Sequence, residues 1–269
     1  MMFDLRFAAI AILGIYGLVA CLERVPTLQF RGSRFFRPHF LTDVGWYLSA
    51  AAITIAFGPL LERLSDAIES LGIPTLASAD LPLWGMVILA VALHDLGAFV
   101  CHVMLHRVGW LWRLHKVHHS SRVLDWLATT RAHVAEHLFR NIPTQAVLFA
   151  IGFSTEAVAL ALVVYAAFAT IGHSNLRLDL GFLEPLFITP RLHRLHHVPA
   201  TTEKNYGTVL SLWDRLGGSL VAAETNPEER LGVPGEEETY PQTWWQQLRQ
   251  PLRGAPPTDH RTSTSLVRP

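Results

Sequence analysis

The chain has 269 residues, of which half are hydrophobic and only 16% are charged, whereas a soluble domain carries about 25% charged residues. Its 22 Lys and Arg residues balance its 22 Asp and Glu residues, and it has two cysteines. These figures exclude a nucleic-acid-binding protein, a disordered chain and a disulfide-stapled secreted fold. They leave an apolar chain with 14 histidines.

Long hydrophobic runs predict membrane helices. Three of them, 5–22, 43–61 and 83–105, are near the ~20 residues that a spanning helix needs. The fourth run, 141–172, is short for two full spans, which need about 40 residues, so we predict a short helical hairpin with its turn at Gly152–Thr155. The alternatives are a soluble helical bundle and, for 5–22, a cleaved signal peptide. The lengths of the runs and the weak positive charge before the first run argue against them.

The arginines predict the orientation in the membrane. Four lie in the 23–42 loop, and the 107–140 segment carries six basic residues. The 62–82 loop has one arginine against four acidic residues. Because basic loops stay in the cytoplasm, we expect the N-terminus outside and everything from residue 107 onward on the cytoplasmic face.

The predicted fold is an all-α integral membrane protein with three spanning helices, the short hairpin, and a cytosolic His-rich helical cap that holds two metals. Residues 1–42 form the first transmembrane helix and a basic loop. Residues 43–223 form the remaining membrane helices and the histidine domain. Residues 224–269 form a polar tail, in which Tyr240–Leu252 is expected at the membrane interface and the last 15 residues are expected to be disordered.

Most of the histidines fall into spaced clusters. The clusters are His102-x3-His106, His115-x2-His118-His119 and His193-x2-His196-His197, and His173 follows the hairpin as a ninth candidate. On a helix, positions i, i+3 and i+4 share one face, so each cluster is expected to point its rings at a common point. Imidazole suits iron, zinc, copper and nickel. Eight ligands exceed the capacity of one ion, so two metals are expected.

These motifs resemble the fatty acid hydroxylase/sterol desaturase superfamily of membrane non-haem diiron enzymes. The resemblance covers roughly residues 43–220. Its motifs are Asp95–Arg107, Leu111–Ser121, Arg131-Ala-His133-x2-Glu136, His173-Ser-Asn175, Thr189–His197, Asn205-Tyr-Gly207 and Trp213-Asp214-Arg-Leu216. The chain departs from the family pattern at Val103, where an arginine is frequent, and at His133-Val134-Ala135-Glu136, which lacks the usual proline.

The resemblance implies two non-haem iron ions, O2 as co-substrate and an external reductant. By position, the implied ligands are His102, His106, His115, His118, His119, His173, His193, His196 and His197. The implied partners are a lipid from the bilayer and an electron-transfer protein of cytochrome b5 or ferredoxin type. No nucleic acid is expected. A basic face formed by Arg113, Lys116, Arg122, Arg191 and Arg194 is expected to dock the electron carrier.

Three carboxylates are candidate catalytic residues. Asp95 lies seven residues before His102 on one helix stripe, and we expect it to accept a ring N–H from a ligand histidine. Glu136 is expected to orient a ligand, and Asp214 to support the site from behind. His133 and His137 are additional candidate ligands, and His133 through His137 spell H-x-x-E-H, a zinc-protease signature.

The predicted function is O2-dependent hydroxylation, or desaturation, of a lipid C–H bond. A zinc-dependent membrane hydrolase, a non-catalytic metal-binding membrane protein and a carotenoid hydroxylase-like enzyme remain as alternatives. The sequence leaves the substrate open among a sterol, a fatty acyl chain, an alkylglycerol and a carotenoid. The absence of a retention tetrapeptide and of appended modules favours a bacterial inner membrane over the endoplasmic reticulum.

Overall fold

The computed structural model describes residues 5–32, 34–71, 81–226 and 228–253. Within these ranges the regular structure is helical and contains no β-strand, apart from two isolated bridges that pair Gln29 with Leu176 and Phe187 with Leu210. The α-helices are α1 Leu5–Leu22, α2 Phe40–Ser70, α3 Leu83–Arg107, α4 Gly109–His119, α5 Val134–Ile151, α6 Thr155–His173, α7 Pro190–His196, α8 Leu212–Gly217 and α9 Trp244–Arg249.

Among the described residues, three helices are long and apolar enough to cross a membrane: Phe40–Ile68, Leu83–Arg107 and Thr155–His173. Two of them match predicted spans, although α2 is longer than the predicted run. The third is the second helix of the hairpin, whose 19 residues extend about 28 Å at 1.5 Å per residue. The first predicted run supplies a shorter apolar stretch, Phe7–Leu22.

The predicted hairpin turn is confirmed. α5 ends at Gly152, which adopts a left-handed conformation with φ of 93° that favours glycine. Ser154 then caps α6 by accepting a hydrogen bond from the backbone N–H of Ala157. Only three residues therefore separate the two helices, and the hairpin is tight.

The hairpin packs against the other membrane helices. α1 and α3 contact α6, and α2 and α3 contact α5. Gly97 makes the contact between α3 and α5 close, because a Cβ at that position would lie 2.9 Å from Cγ2 of Thr144. Beyond it, Ala90 of α3 packs with Leu148 and Phe149 of α5 in the main apolar core. α3 and α5 are therefore antiparallel.

The C-terminal segment folds back onto the helices. α9 lies inside the predicted interfacial stretch 240–252, and Trp244 contacts Gly45 of α2 so closely that a Cβ on the glycine would lie 2.9 Å from its ring. Gln247 is fully buried, where it accepts from Trp46 Nε1 at 2.8 Å and donates to Ser120 Oγ at 2.9 Å. The predicted disordered tail lies outside the described residues.

Candidate metal centre

Nine buried histidines form two groups at the ends of α3 and α6. Within each group, every ring offers a nitrogen that lies within 4.8 Å of the others. The first group is His102, His106, His115, His119 and His196, and the second is His118, His173, His193 and His197. The structure thus brings together all nine of the histidines that the sequence indicated.

Helix geometry explains how the histidines divide. In α4, His115 and His119 belong to the first group and His118 to the second. The expectation that each cluster points at one common point was therefore wrong. At 100° per residue, positions i and i+4 differ by about 40° around the helix, whereas i+3 and i+4 differ by about 100°. The third cluster divides in the same way, with His193 and His197 together and His196 apart.

The hydrogen bonds of the rings fix several tautomers. Four rings have Nδ1 close to a backbone carbonyl oxygen, which can only accept a proton. The pairs are His102 with Tyr206 O at 2.7 Å, His118 with Arg131 O at 3.0 Å, His173 with Ala169 O at 2.8 Å and His196 with Lys204 O at 2.7 Å. Each of these Nδ1 atoms therefore carries the proton, and the corresponding Nε2 presents a lone pair.

These lone pairs face one another. Nε2 of His118 lies 3.0 Å from Nε2 of His173, and neither can donate to the other. Nε2 of His102 likewise lies 3.0 Å from Nε2 of His115, whose own Nδ1 is bonded to a carboxylate. Nε2 of His196 is buried without a hydrogen-bond partner among the described residues. A cation resolves all three conflicts, and two nitrogens each about 2.1 Å from a metal at a right angle are about 3 Å apart.

Burial also keeps the rings neutral. It lowers the pKa of His196 to about 4. It lowers the pKa of His118 and of His197 well below the ordinary value of histidine, and the neighbouring histidines act in the same direction. Neutral imidazole is the form that binds metals. The two groups could therefore hold two metal ions in all-nitrogen sites.

Glu136 makes the contact expected of a residue that orients a ligand. Its Oε1 accepts a hydrogen bond from Nδ1 of His115 at 2.9 Å, and both side chains are fully buried. This bond leaves Nε2 of His115 free to face the first group. A carboxylate behind a metal-binding imidazole fixes its orientation and raises its basicity.

Asp95 has a different partner from the one expected. Its carboxylate accepts from the backbone N–H groups of Val209 and Leu210 at 3.0 and 2.9 Å and from Trp213 Nε1 at 2.9 Å. Seven residues along α3 correspond to about 10 Å, so the 209–213 segment, rather than His102, meets this carboxylate. Asp95 thus anchors the segment that follows the third histidine cluster.

Asp214 holds the same segment from its other side. It accepts from the backbone N–H groups of Tyr206 and Gly207 at 2.8 and 2.7 Å and from Ser219 Oγ at 2.6 Å. Because the carbonyl of Tyr206 binds His102, Asp214 supports the centre through one intermediate residue. A Cβ on Gly207 would lie 2.8 Å from the carbonyl of Leu210, so this loop requires a glycine.

The H-x-x-E-H residues do not meet at one metal. His133 caps α5 by accepting from Ala135 N, and its Nε2 donates to the carbonyl of Leu248 at 3.1 Å. His137 lies 3.4 Å from the amide of Asn141, and both histidines lie outside the two groups. Oε1 of Glu136 instead accepts a hydrogen bond from Nδ1 of His115. The zinc-protease interpretation of this motif therefore loses its support.

The sequence did not indicate a buried charge network beside the centre. Arg37 binds Asp125 through two bonds of 2.5 and 2.6 Å and approaches Asp43 to 2.6 Å, and Arg131 forms an ion pair with the other oxygen of Asp43. All four side chains are almost fully buried. The carbonyl of Arg131 binds His118, so the network connects the 23–42 loop with the second group.

The fold and the nine histidines define a helical protein with membrane-length helices and two histidine groups that could hold metal ions. Residues 87–219 match the fatty acid hydroxylase family. The chain is 29% identical to an ornithine lipid hydroxylase of Rhizobium tropici over 238 residues. This alignment covers 83% of this chain and 70% of the relative. Over these residues the chain is therefore similar to oxidoreductases of the fatty acid hydroxylase family.

Two other relatives match a smaller part. An alkylglycerol monooxygenase of Danio rerio is 33% identical over 139 residues, 51% of this chain and 30% of the relative. A Delta(7)-sterol 5(6)-desaturase of Candida dubliniensis is 28% identical over 159 residues, 58% of this chain and 38% of the relative. The chain thus spans about a third of these two relatives. No solved structure matches the chain significantly.

Proposed function

We propose that this protein hydroxylates a membrane lipid with O2 at a His-ligated diiron centre. The observation that carries the proposal is the set of Nε2 lone pairs that face one another at 3.0 Å with their Nδ1 protons held elsewhere. In this proposal the first group holds one iron through five imidazoles and the second holds the other through four. When bound, the two irons would activate O2 for cleavage of a lipid C–H bond.

The protein side chains orient the ligands and exclude water. Backbone carbonyls and Glu136 hold the Nδ1 protons, so the Nε2 atoms of His102, His115, His118, His173 and His196 need no reorganisation before they bind metal. All nine rings are buried. Hydroxylation is favoured over desaturation because a relative that matches 83% of the chain is named a hydroxylase.

The proposed orientation places the centre on the cytoplasmic face of a membrane, with a bacterial inner membrane favoured. α3 and α6, which are long and apolar enough to span, both end at the histidines. The basic loop 23–42 lies at the same end, because Arg37 contacts Asp125 and the backbone N–H of Phe30 donates to the carbonyl of Asn175. These positions support the arginine-based topology.

The electron donor in this proposal is a separate cytochrome b5- or ferredoxin-type protein. The basic face that the sequence indicated for its docking carries cations that also have partners within the protein. Lys116 pairs with Glu236 at 2.5 Å and Arg191 with Glu184 at 2.6 Å, and Arg194 is buried against the ring of Phe30. These three cations have partners within the protein, so they contribute less positive charge to this face than the sequence suggested.

Metal analysis of the purified protein tests the proposal. We expect about two irons per chain, and O2 uptake that requires both a lipid and a reductant. Lipid extracts of cells that express the protein are compared with extracts from cells that express H118A, and a hydroxylated lipid should appear only in the first. Zinc without iron would favour the hydrolase alternative, and protein without any metal would overturn the proposal.

A further inference from the structure

Arg140 lies on the face of α5 that packs against α3. Thr144, one turn further along α5, makes the close contact with Gly97. Because the two helices are antiparallel, the side chain of Arg140 lies one turn nearer to the histidines, beside the turn of α3 that contains Cys101 and His102. The sequence placed this arginine in a basic cytoplasmic segment. In the structure it lies on α5, on the face that packs against α3.

The guanidinium of Arg140 lacks a close anionic partner among the described residues. Its nearest carboxylate oxygen there is Oε1 of Glu136, at 4.0 Å, which already accepts the Nδ1 proton of His115. Nε of Arg140 is buried and forms no hydrogen bond with any described residue, and only 18% of the side chain is exposed. A buried N–H donor without a hydrogen-bond partner is costly. Such a group is typical of a site whose partner is a ligand.

Other polar groups around Arg140 also lack partners. His94 of α3 and His137 of α5 are buried, and both interact electrostatically with Arg140. Nδ1 of His94 and Nε2 of His137 have no hydrogen-bond partner within the described part of the chain. Neither histidine belongs to the two metal groups. Arg140, His94 and His137 therefore form a second polar cluster, which we call the Arg140 cluster.

The Arg140 cluster lies between the membrane interior and the histidine centre. The charge of Arg140 acts on Tyr165, about two turns before the end of α6, and on His173 at that end. It also acts on His94 within α3 and, as a smaller contribution among several, on His102 in the first metal group. A lipid that enters from the bilayer would reach this cluster before or while it reaches the metals.

We propose that Arg140 binds the anionic group of the lipid substrate, a carboxylate or a phosphate, inside the helical bundle. This inference rests on the proposed function, since the lipid is the substrate of the same centre. The planar guanidinium matches both oxyanions with two parallel N–H donors. Because Arg140 lies one helical turn from Glu136, whose Oε1 accepts from the proposed ligand His115, the oxidised carbon would lie near the acidic group rather than at the far end of the acyl chain.

A binding experiment with defined lipids tests this assignment. Full-length, metal-loaded protein in neutral detergent micelles is titrated separately with radiolabelled oleate, dioleoyl phosphatidate and dioleoylglycerol, which present a carboxylate, a phosphate and no charge. The variants are R140Q and R140K. The matched control is R230Q, because Arg230 is 80% exposed and lies in the C-terminal segment. Metal content and O2 uptake are measured on every preparation.

We expect the wild-type protein to bind at least one acidic probe more tightly than dioleoylglycerol. R140Q should lose about tenfold or more of that affinity, as expected for a hydrogen bond to a charged group, and keep its affinity for dioleoylglycerol and its metal content. The affinity of R140K for the acidic probe should lie between those of the wild type and R140Q, and the affinity of R230Q should match that of the wild type. Preference for oleate or for phosphatidate identifies the acidic group.

Two results would overturn the assignment. One is equal binding of the three probes by the wild-type protein, which decides the matter even if R140Q does not fold. The other is R140Q that retains the wild-type preference for acidic lipids. If R140Q instead loses metal while its lipid preference is unchanged, Arg140 acts only as a counterion to Glu136. Wild-type protein without metal or O2 uptake would overturn the proposed function, and the lipid titrations would still report on Arg140.

Discussion

The Nε2 atoms of His118 and His173 lie 3.0 Å apart, although each ring donates its Nδ1 proton to a backbone carbonyl. Two lone pairs at this distance repel each other unless a cation lies between them. The carbonyls of Arg131 and Ala169 thus prepare the site for metal as much as the imidazoles do. This relationship makes the metal-binding proposal testable without knowledge of the lipid.

Replacing His118 should remove one of the two metals. H118A deletes one of the four nitrogens of the second group, so we expect metal content to fall from about two to about one per chain. Elemental analysis of purified protein measures the change. The control is H39N, because His39 lies outside both groups and has φ of 66°, which asparagine tolerates. An H118A protein with the full metal content would contradict the assignment.

Replacing Glu136 should weaken metal binding without unfolding the protein. E136Q removes the charge behind His115 and keeps an acceptor oxygen, so we expect metal affinity to fall about 10- to 100-fold. Competition with a chelator of known affinity measures the loss. E156Q is the matched control, since Glu156 lies in the first turn of α6. Equal affinities for the two variants would show that Glu136 does not act through His115.

Breaking the buried charge network should destabilise the whole fold. R131M leaves Asp43 with Arg37 as its remaining ion-pair partner among the described residues, and removing one member of a buried ion pair costs about 3–5 kcal/mol. Denaturant unfolding in micelles measures the change. R122Q is the control, because its ion pair with Glu238 is partly exposed and such pairs contribute about 0–1 kcal/mol. Similar losses for both variants would contradict this account.

Glu23 should make the stability depend on pH. The side chain is fully buried and accepts from the backbone N–H groups of Trp126 and Asn175 at 2.9 and 2.8 Å. Burial raises the pKa of Glu23 to about 7, from an ordinary value of 4.5. The folded state therefore favours the protonated carboxyl. This contribution is complete below about pH 4.5 and is lost as the pH rises through about 7.

E23Q should remove that part of the pH dependence, because glutamine keeps the acceptor oxygen and does not ionise. Unfolding midpoints of the two proteins between pH 5 and 8 measure it, and the wild type should lose more stability over this window. E228Q is the control, since the side chain of Glu228 is 80% exposed. Parallel curves for E23Q and the wild type would show that Glu23 does not carry the effect.

Asp95 should control the order of the segment after the third histidine cluster. D95N loses at least one of the three bonds to Val209, Leu210 and Trp213. We expect faster amide hydrogen exchange over residues 205–214 and a smaller loss of metal than in H118A. D179N is the control, because the carboxylate of Asp179 accepts from Gly181 on the surface. Unchanged exchange in D95N would contradict the anchoring role.

Much of the architecture could be predicted because it depends on local patterns. The hairpin turn at Gly152 follows from a glycine between two apolar runs. Eight of the nine histidines could be found because their spacing is helical. The role of Asp95 could not be predicted from the sequence. The backbone N–H groups that bind it lie more than 110 residues away, and no side-chain pattern marks them.

The sequence by itself determined the apolar helices and the presence of nine candidate ligands, since both depend on residue type and helical period. Only the tertiary structure decided which histidines share a group and which nitrogen of each ring is free. Those properties depend on long-range contacts, such as Tyr206 O with His102 and Arg131 O with His118. The structure also showed that Arg140, which the sequence placed only in a basic segment, has a buried Nε without a hydrogen-bond partner among the described residues, and this atom supports the lipid-binding hypothesis.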